Sequence, residues 1–396
     1  MKTIKLVSTL IVLLVFAACK NDSIKNDILS DKISAVKTKY APDKRVALFN
    51  VEAEEQNGSY LLKGESNLPN AVKELKAKLK SDSIAFIDSI QILPSANLNG
   101  KVFGLVTISV ANLRSNPKHS AELATQATLG TPVNILKKEG DWWLVQTPDH
   151  YLAWVDNGGI VEITSSELSL WKSSPKIIYT VITGNTYSKP DKQSQVVSDI
   201  VAGSILELLE EDNEFYKVKY PDNRIAYVGK SEAQPYTDWL ENTKPTGESL
   251  VATSKKLMGL PYLWGGTSTK GVDCSGFTKT VYFLNGMIIP RDASQQVNTG
   301  ELTDSTKHFE KLLPGDLLFF GRKATDSTSE KVVHVGMWIG NNEFIHSSGQ
   351  VRISSVDKDA PNFDPYNLNR YLRSKRIANS ENEALINLIK TPVFKN

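Results

Sequence analysis

The chain has two cysteines and five histidines, and their placement is the first hint of chemistry. Cys274 stands in GVDCSGF, where turn residues give way to helical spacing: Cys274, Phe277, Val281 and Leu284 fall on one stripe, and Gly286 follows as a stop. A thiol at a helix N-terminus faces the positive end of the macrodipole and unpaired N–H groups, which favour the thiolate. The same N–H groups can hold an oxyanion when a carbonyl is attacked. A buried structural cysteine is the plainer alternative. Against it stands the cysteine count: the other thiol, Cys19, ends an N-terminal leader, so Cys274 is left without a disulfide partner. A lone thiol in an exported protein is open to oxidation, and catalysis is one explanation for its presence. Two cysteines also exclude a multi-cysteine zinc or iron–sulfur site, and neither a metal nor an organic cofactor is expected.

His119, His150 and His308 lie in loop-like contexts, whereas His334 and His346 fall in neighbouring strands. In VVHVGMWIG, His334 shares a face with Gly336 and Trp338, while Val333, Val335, Met337 and Ile339 point the other way. A polar side chain facing glycine on an apolar strand suggests an open cleft above it. If the turn Gly340-Asn341-Asn342 counts as three residues, His346 in EFIHSS opposes Gly336 and lies diagonal to His334 on the same face, about 7 Å away at the backbone. An even-numbered loop puts the two on opposite faces. On one face, His334 can take the thiol proton while His346 orients its ring.

The first residues read as a targeting segment: Lys2 and Lys5, an apolar run from Leu6 to Phe16, then Ala17-Ala18 before Cys19. The run is too short and wrongly flanked for a membrane-spanning helix. It resembles the lipobox of bacterial lipoproteins, which implies removal of residues 1–18, lipidation of Cys19 and an exported, membrane-anchored protein. Residues 19–44 are polar and read as a tether. Residues 45–98 read as a small mixed α/β segment of paired strands, a helix near 71–79 and a further strand. Two similar stretches follow at 99–165 and 173–236, each ordering a turn, a glycine (Gly130, Gly203), an apolar strand, an acidic turn and two aromatic-rich strands. Short alternating strands at this spacing predict two small β-barrels, and the stretches resemble bacterial SH3-like domains. Residues 237–380 turn to helices followed by an antiparallel sheet, and 381–396 read as a loosely attached tail. The fold class is thus multidomain α+β.

The series PYLWGG, GVDCSGF, PGDLLFF and HVGMWIGNNEFIHSS resembles the NlpC/p-sixty family of cell-wall cysteine peptidases over the last third of the chain. The resemblance implies a papain-like catalytic domain, with Cys274 as nucleophile, His334 as base and His346 as third polar residue. It also implies Tyr262 beside the nucleophile, assisting at the oxyanion or contacting substrate. The architecture with SH3-like barrels is similar to γ-D-glutamyl-L-diamino acid endopeptidases (dipeptidyl-peptidase VI), which release L-Ala-γ-D-Glu from murein stem peptides. From that likeness Glu122, Tyr151, Asp273 and Ser275 are expected to receive the substrate's free amine. Asp273 can equally serve only as a helix N-cap. Relatives often carry Ser after the Pro290-Arg291-Asp292 motif; here Ala293 comes first and Ser294 second.

The 46 basic and 44 acidic residues nearly cancel, giving a net charge of +2. Without a concentrated basic face, a nucleic-acid partner is not expected. The expected partners are peptidoglycan stem peptides and, through the anchor, a membrane. Two other functions remain open: N-acetylmuramoyl-L-alanine amidase activity, which an amine pocket argues against, and a catalytically idle wall-binding lipoprotein, against which the three retained catalytic-type residues argue.

Overall fold

The computed structural model describes residues 29–56, 58–378 and 380–396. The leader, Cys19 and the start of the expected tether lie outside the described residues. Two compact units divide the chain near residue 97.

In the N-terminal unit, Phe49–Gln56 and Ser59–Ser66 pair antiparallel, and the helix Pro69–Ser81 crosses to Phe86–Ile92, which pairs parallel to the second strand. The helix buries Ala71, Val72, Leu75 and Leu79, the i, i+3/i+4 spacing of an amphipathic element. The tether reading needs correction here. Residues 29–40 are helical, with Leu29 and Val36 buried and Ile33 and Tyr40 packed on the same core. Those four residues repeat every three to four positions, so a polar-looking stretch carries one apolar face.

The second unit begins with two seven-stranded antiparallel sheets, one between Phe103 and Ile163 and the other between Lys176 and Pro235. Each closes over its own core, around Val133, Ile135, Val145 and Val155 in the first and Ile200, Val218 and Val228 in the second. Then comes the part that positions the thiol. The helices Gly247–Lys256 and Cys274–Phe283 pack on one face of a six-stranded antiparallel sheet. Its spatial order is Glu301–Asp304, Tyr371–Arg376, Leu317–Arg322, Lys331–Gly340, Glu343–Ser348 and Gln350–Ser355. Phe277 and Val281 of the second helix meet Leu317, Phe319, Val335 and Met337 of the sheet. Helix stripe and strand alternation thus share one core, as the α+β expectation required.

The tail reading is also corrected. Ile386–Asn387 pairs with Met287–Ile288. Leu388 and Phe394 are buried at 1% and 2% exposure among Trp171, Tyr236, Trp239 and Ile288, with Phe394 edge-on to Tyr236. Beyond the polar run that ends at residue 384, Ile386, Leu388 and Phe394 are apolar anchors whose partners come from far upstream. Phe394→Ala is expected to destabilise this unit by about 3 kcal/mol, read as a lowered midpoint in chemical or thermal unfolding. An unchanged midpoint would mean that the tail is only laid on the surface.

Candidate active site

Asp273 begins the thiol-bearing helix. Its carboxylate accepts the Gly276 N–H at 2.7 Å as N-cap, satisfying one of the donors a helix start leaves open. Gly276 is required for close approach: a Cβ there would lie 1.9 Å from the Gly266 carbonyl oxygen. Cys274 is 8% exposed. Its sulfur lies within hydrogen-bonding reach of the backbone N–H groups of Val335, the residue after His334, and of Ser275. Burial, and next the Asp273 charge, push the thiol up to about 11, against the pull of the Val335 N–H, Arg291 and the Ser275 N–H. The helix terminus does supply donors to sulfur, but desolvation outweighs it. The thiolate expected from position alone is therefore not the resting form.

The two histidines meet on one face. His334 Nε2 and His346 Nδ1 are 2.8 Å apart. The turn between their strands has only two residues, Asn341 and Asn342, both left-handed at φ 52° and 59°, the type I′ geometry that suits a tight hairpin. An even loop alone would have separated the rings. A bulge between Trp338 and Gly340 shifts the register by one, so that Met337 opposes Ile345 and Trp338 opposes Phe344. Extending that register sets His346 across from Gly336. A Cβ on Gly336 would come within 2.9 Å of the Phe344 ring and 3.2 Å of His346 Cβ. Glycine there makes room for the second ring.

Behind His346 the chain continues in a way the sequence did not disclose. His346 Nε2 lies 3.0 Å from Ser354 Oγ and 4.0 Å from Asp364 Oδ2. Asp364 is held by its N–H donating to the Ser355 carbonyl at 2.9 Å. A carboxylate on that side favours a proton on His346 Nε2, which makes Nδ1 the acceptor. His334 then carries its proton on Nε2, which leaves Nδ1 as the ring's acceptor nitrogen. Burial holds His334 well below the ordinary imidazole value, with His346 and the cations Arg370 and Arg352 adding to it. Burial likewise lowers His346 to about 4, against the opposing pull of Asp364. Thiol and imidazoles are thus all neutral at rest.

The expected amine-binding residues divide. Asp273 is fully engaged within the chain. Besides Gly276, it accepts from Gly265 N–H at 3.0 Å, from Ser275 Oγ at 3.2 Å, and from Arg291 at 2.6 and 3.2 Å. Arg291 is 1% exposed and also donates to Ser275 Oγ at 3.0 Å. Asp273 and Ser275 thus stand in a buried network with Arg291, in which Asp273 is also the helix N-cap. Glu122 and Tyr151 come from the first barrel and reach the same neighbourhood by two routes. Glu122 accepts from Trp264 Nε1 at 2.6 Å, next to Gly265. The Tyr151 hydroxyl donates to Asp292 at 3.1 Å, next to Arg291. In the sequence Arg291 and Asp292 stand out only as part of a Pro-Arg-Asp motif; their roles depend on partners distant in the chain. Ala293 is buried as the first residue of the short helix Ala293–Gln296.

The barrel is also fastened to the loop before the thiol. Gln126 exchanges hydrogen bonds with Thr267 through N–H, side-chain and carbonyl atoms at 2.9 to 3.0 Å, and accepts from Ser268 Oγ at 2.9 Å. Lys279 of the thiol-bearing helix forms a buried ion pair with Asp149 of the barrel. Tyr262 lines an open pocket of about 350 Å³ together with His334. Burial, then the proximity of Cys274, pushes its hydroxyl up to about 12, so it is a proton donor at neutral pH.

The NlpC/P60 family pattern matches residues 259–364, and the bacterial SH3 domain pattern matches 109–161 and 183–233. A gamma-D-glutamyl-L-lysine dipeptidyl-peptidase of Bacillus cereus is 34% identical over 234 residues, 57% of this chain and 67% of that protein. The chain belongs to the NlpC/P60 family. Dipeptidyl-peptidase 6 of Lysinibacillus sphaericus is 27% identical over 266 residues, covering 65% of this chain and 93% of its own. The crystal structure of an NlpC/P60 family protein from Bacillus cereus aligns with a TM-score of 0.60 at 28% identity, over 70% of this chain and 99% of that one. The multidomain fold class, with SH3-like sheets preceding an NlpC/P60 domain, therefore holds.

A neutral resting thiol has a measurable signature. Alkylation of Cys274 by iodoacetamide, followed by mass of its peptide, is expected to be slow at pH 7 and to accelerate about tenfold per pH unit up to at least pH 9. A rate already flat at pH 7 would show a preformed thiolate instead.

Proposed function

We propose that the protein is a cysteine endopeptidase that hydrolyses the γ-D-glutamyl–L-diamino acid bond of murein stem peptides with a free N-terminal L-Ala, releasing L-Ala-γ-D-Glu. The observation that carries this reading is the 2.8 Å bond between His334 Nε2 and His346 Nδ1, with the Cys274 sulfur beside the Val335 N–H. The names of the relatives support the substrate class.

In this reading the substrate's γ-carbonyl enters between the thiol-bearing helix and the sheet. The thiol proton moves to His334 Nδ1 and sulfur attacks the carbonyl carbon. His346 steadies the imidazolium, and the Asp364 carboxylate behind it supplies the full charge that a neutral histidine lacks. The Cys274 N–H, which as first helical residue has no carbonyl in its own helix to bond, and the Tyr262 hydroxyl are suited to the oxyanion. His334 then delivers its proton to the leaving nitrogen, and water attacks the thioester with His334 as base.

The free amine is assigned to the carboxylates of Glu122 and Asp292, with Tyr151 beside Asp292. An ammonium needs acidic partners, and Asp273 is already neutralised by Arg291. A closed pocket at that end counts residues from the substrate's start and rejects a glycan-linked alanine. The localisation belongs to the same proposal: Cys19 carries lipid and holds the enzyme at the cell envelope, where such peptides occur.

Mass spectrometry of a tripeptide digest tests the reading. L-Ala-γ-D-Glu-diamino acid is expected to yield the dipeptide, with loss of activity in Cys274→Ala. N-acetylation of L-Ala is expected to slow cleavage at least 100-fold, and Glu122→Gln to raise KM for the free peptide about tenfold. With free peptide, kcat/KM is expected to fall on the acid side only below pH 6.5, because His334 must be unprotonated and its affinity for a proton is depressed. Equal cleavage of free and acetylated peptides would remove the amine pocket. An intact tripeptide alongside split muramoyl peptides would turn the assignment to the amidase.

A further inference from the structure

The pocket beside His334 has a charge character that the steps above do not use. Its lining includes none of Asp273, Arg291, Asp292 or Trp264; in their place it carries Arg352, Arg370, Tyr366 and Asp364. Arg352 stands directly across the strand pair from His346, so both side chains share the cleft face. Arg352 is exposed and makes no hydrogen bond or ion pair among the described residues. Arg370 is fixed. Its Nε and Nη2 donate to Asn367 Oδ1 at 3.0 and 2.7 Å, and its guanidinium lies 4.3 Å over the Tyr366 ring, a stacking that guanidinium favours. Asp364, the carboxylate in the wall, is occupied by Asn367 N–H at 2.9 Å and Asn367 Nδ2 at 2.6 Å and by the side of His346 described above. Two guanidiniums therefore line the pocket, and neither forms an ion pair with a carboxylate among the described residues.

Which half of the substrate meets them follows from the proton's path. The imidazole that protonates the leaving nitrogen lies next to that nitrogen, so the amine half of the scissile bond extends past His334, away from Glu122 and Tyr151. We propose that this pocket receives the diamino acid on the leaving side, and that Arg352 and Arg370 select a side chain ending in a carboxylate beside its ammonium, as in meso-diaminopimelate, over one ending in ammonium alone, as in L-lysine. The inference rests on the peptidase reading above. A carboxylate gains charge-assisted bonds from a guanidinium fork, whereas a bare ammonium is set against two like charges. The α-carboxylates are common to both peptides and give no discrimination.

The test compares L-Ala-γ-D-Glu-meso-diaminopimelate with L-Ala-γ-D-Glu-L-Lys on the full chain and on Arg352→Gln and Arg370→Gln. The wild type is expected to favour the diaminopimelate peptide at least tenfold in kcat/KM. Arg352→Gln is expected to cost that peptide about tenfold, mostly in KM, and to leave the lysine peptide within a factor of two. Arg352 is the cleaner variant because its exposed side chain makes no hydrogen bond or ion pair among the described residues. The lysine peptide separates the two ways an arginine can act: an effect through His334 and His346 slows both substrates alike, and that outcome overturns the proposal. Equal cleavage of both peptides by the wild type overturns it too, with the peptidase reading intact. Cleavage of neither peptide brings down both.

Discussion

A single hydrogen bond between two neutral rings, His334 to His346, organises the catalytic face. It demands that two strands set their histidines diagonally on the same side, and the chain meets this with a bulge in place of a longer turn. Glycine at 336 clears the space, and Ser354 and Asp364 fix which nitrogen carries a proton. Each of these devices would be idle without the others. Together they leave one imidazole nitrogen of His334 as acceptor, on the strand whose next N–H reaches the sulfur.

Burial is the second constraint, and it acts on both partners in opposite senses. It raises the thiol and lowers the imidazole, so charge separation before substrate arrives is disfavoured. The N–H groups around sulfur and the histidine–carboxylate chain behind the base are fixed dipoles and charges that become worth most as the ion pair forms. Stabilisation directed at a state reached during reaction is the form of electrostatics that accelerates chemistry. A thiol kept neutral is also less exposed to oxidation.

What the sequence disclosed was whatever rests on near neighbours in the chain. The stripe Phe277–Val281, the alternation around His334 and the repeating strands of the barrels all depend on periodicity, and the structure contains those elements. The histidine pairing was legible as a condition on turn parity, although the bulge that satisfies it was not, since a bulge has no compositional mark here. Asp364, the Arg291–Asp273 pair and the Gln126 contacts join residues 18 to 142 positions apart, beyond any local pattern. Two segments read as loosely attached, 29–40 and 381–396, are docked by a few apolar anchors in each. For Asp273, the cap legible in the sequence is present, and the buried Arg291 beside it was not legible.

The fastening of the first barrel to residues 267–268 and to Lys279 bears on how such proteins can be rearranged. Gln126 substitutes for part of the backbone pairing that the loop ahead of Cys274 would otherwise lack, and Asp149 neutralises a cation that the thiol-bearing helix buries. Excising the last third as a portable cassette, or grafting it behind an unrelated module, would leave a stranded ammonium and an unsupported loop at the lip of the cleft. The recombination unit is therefore barrel and hydrolytic domain together, and exchange between proteins of this kind should respect that seam.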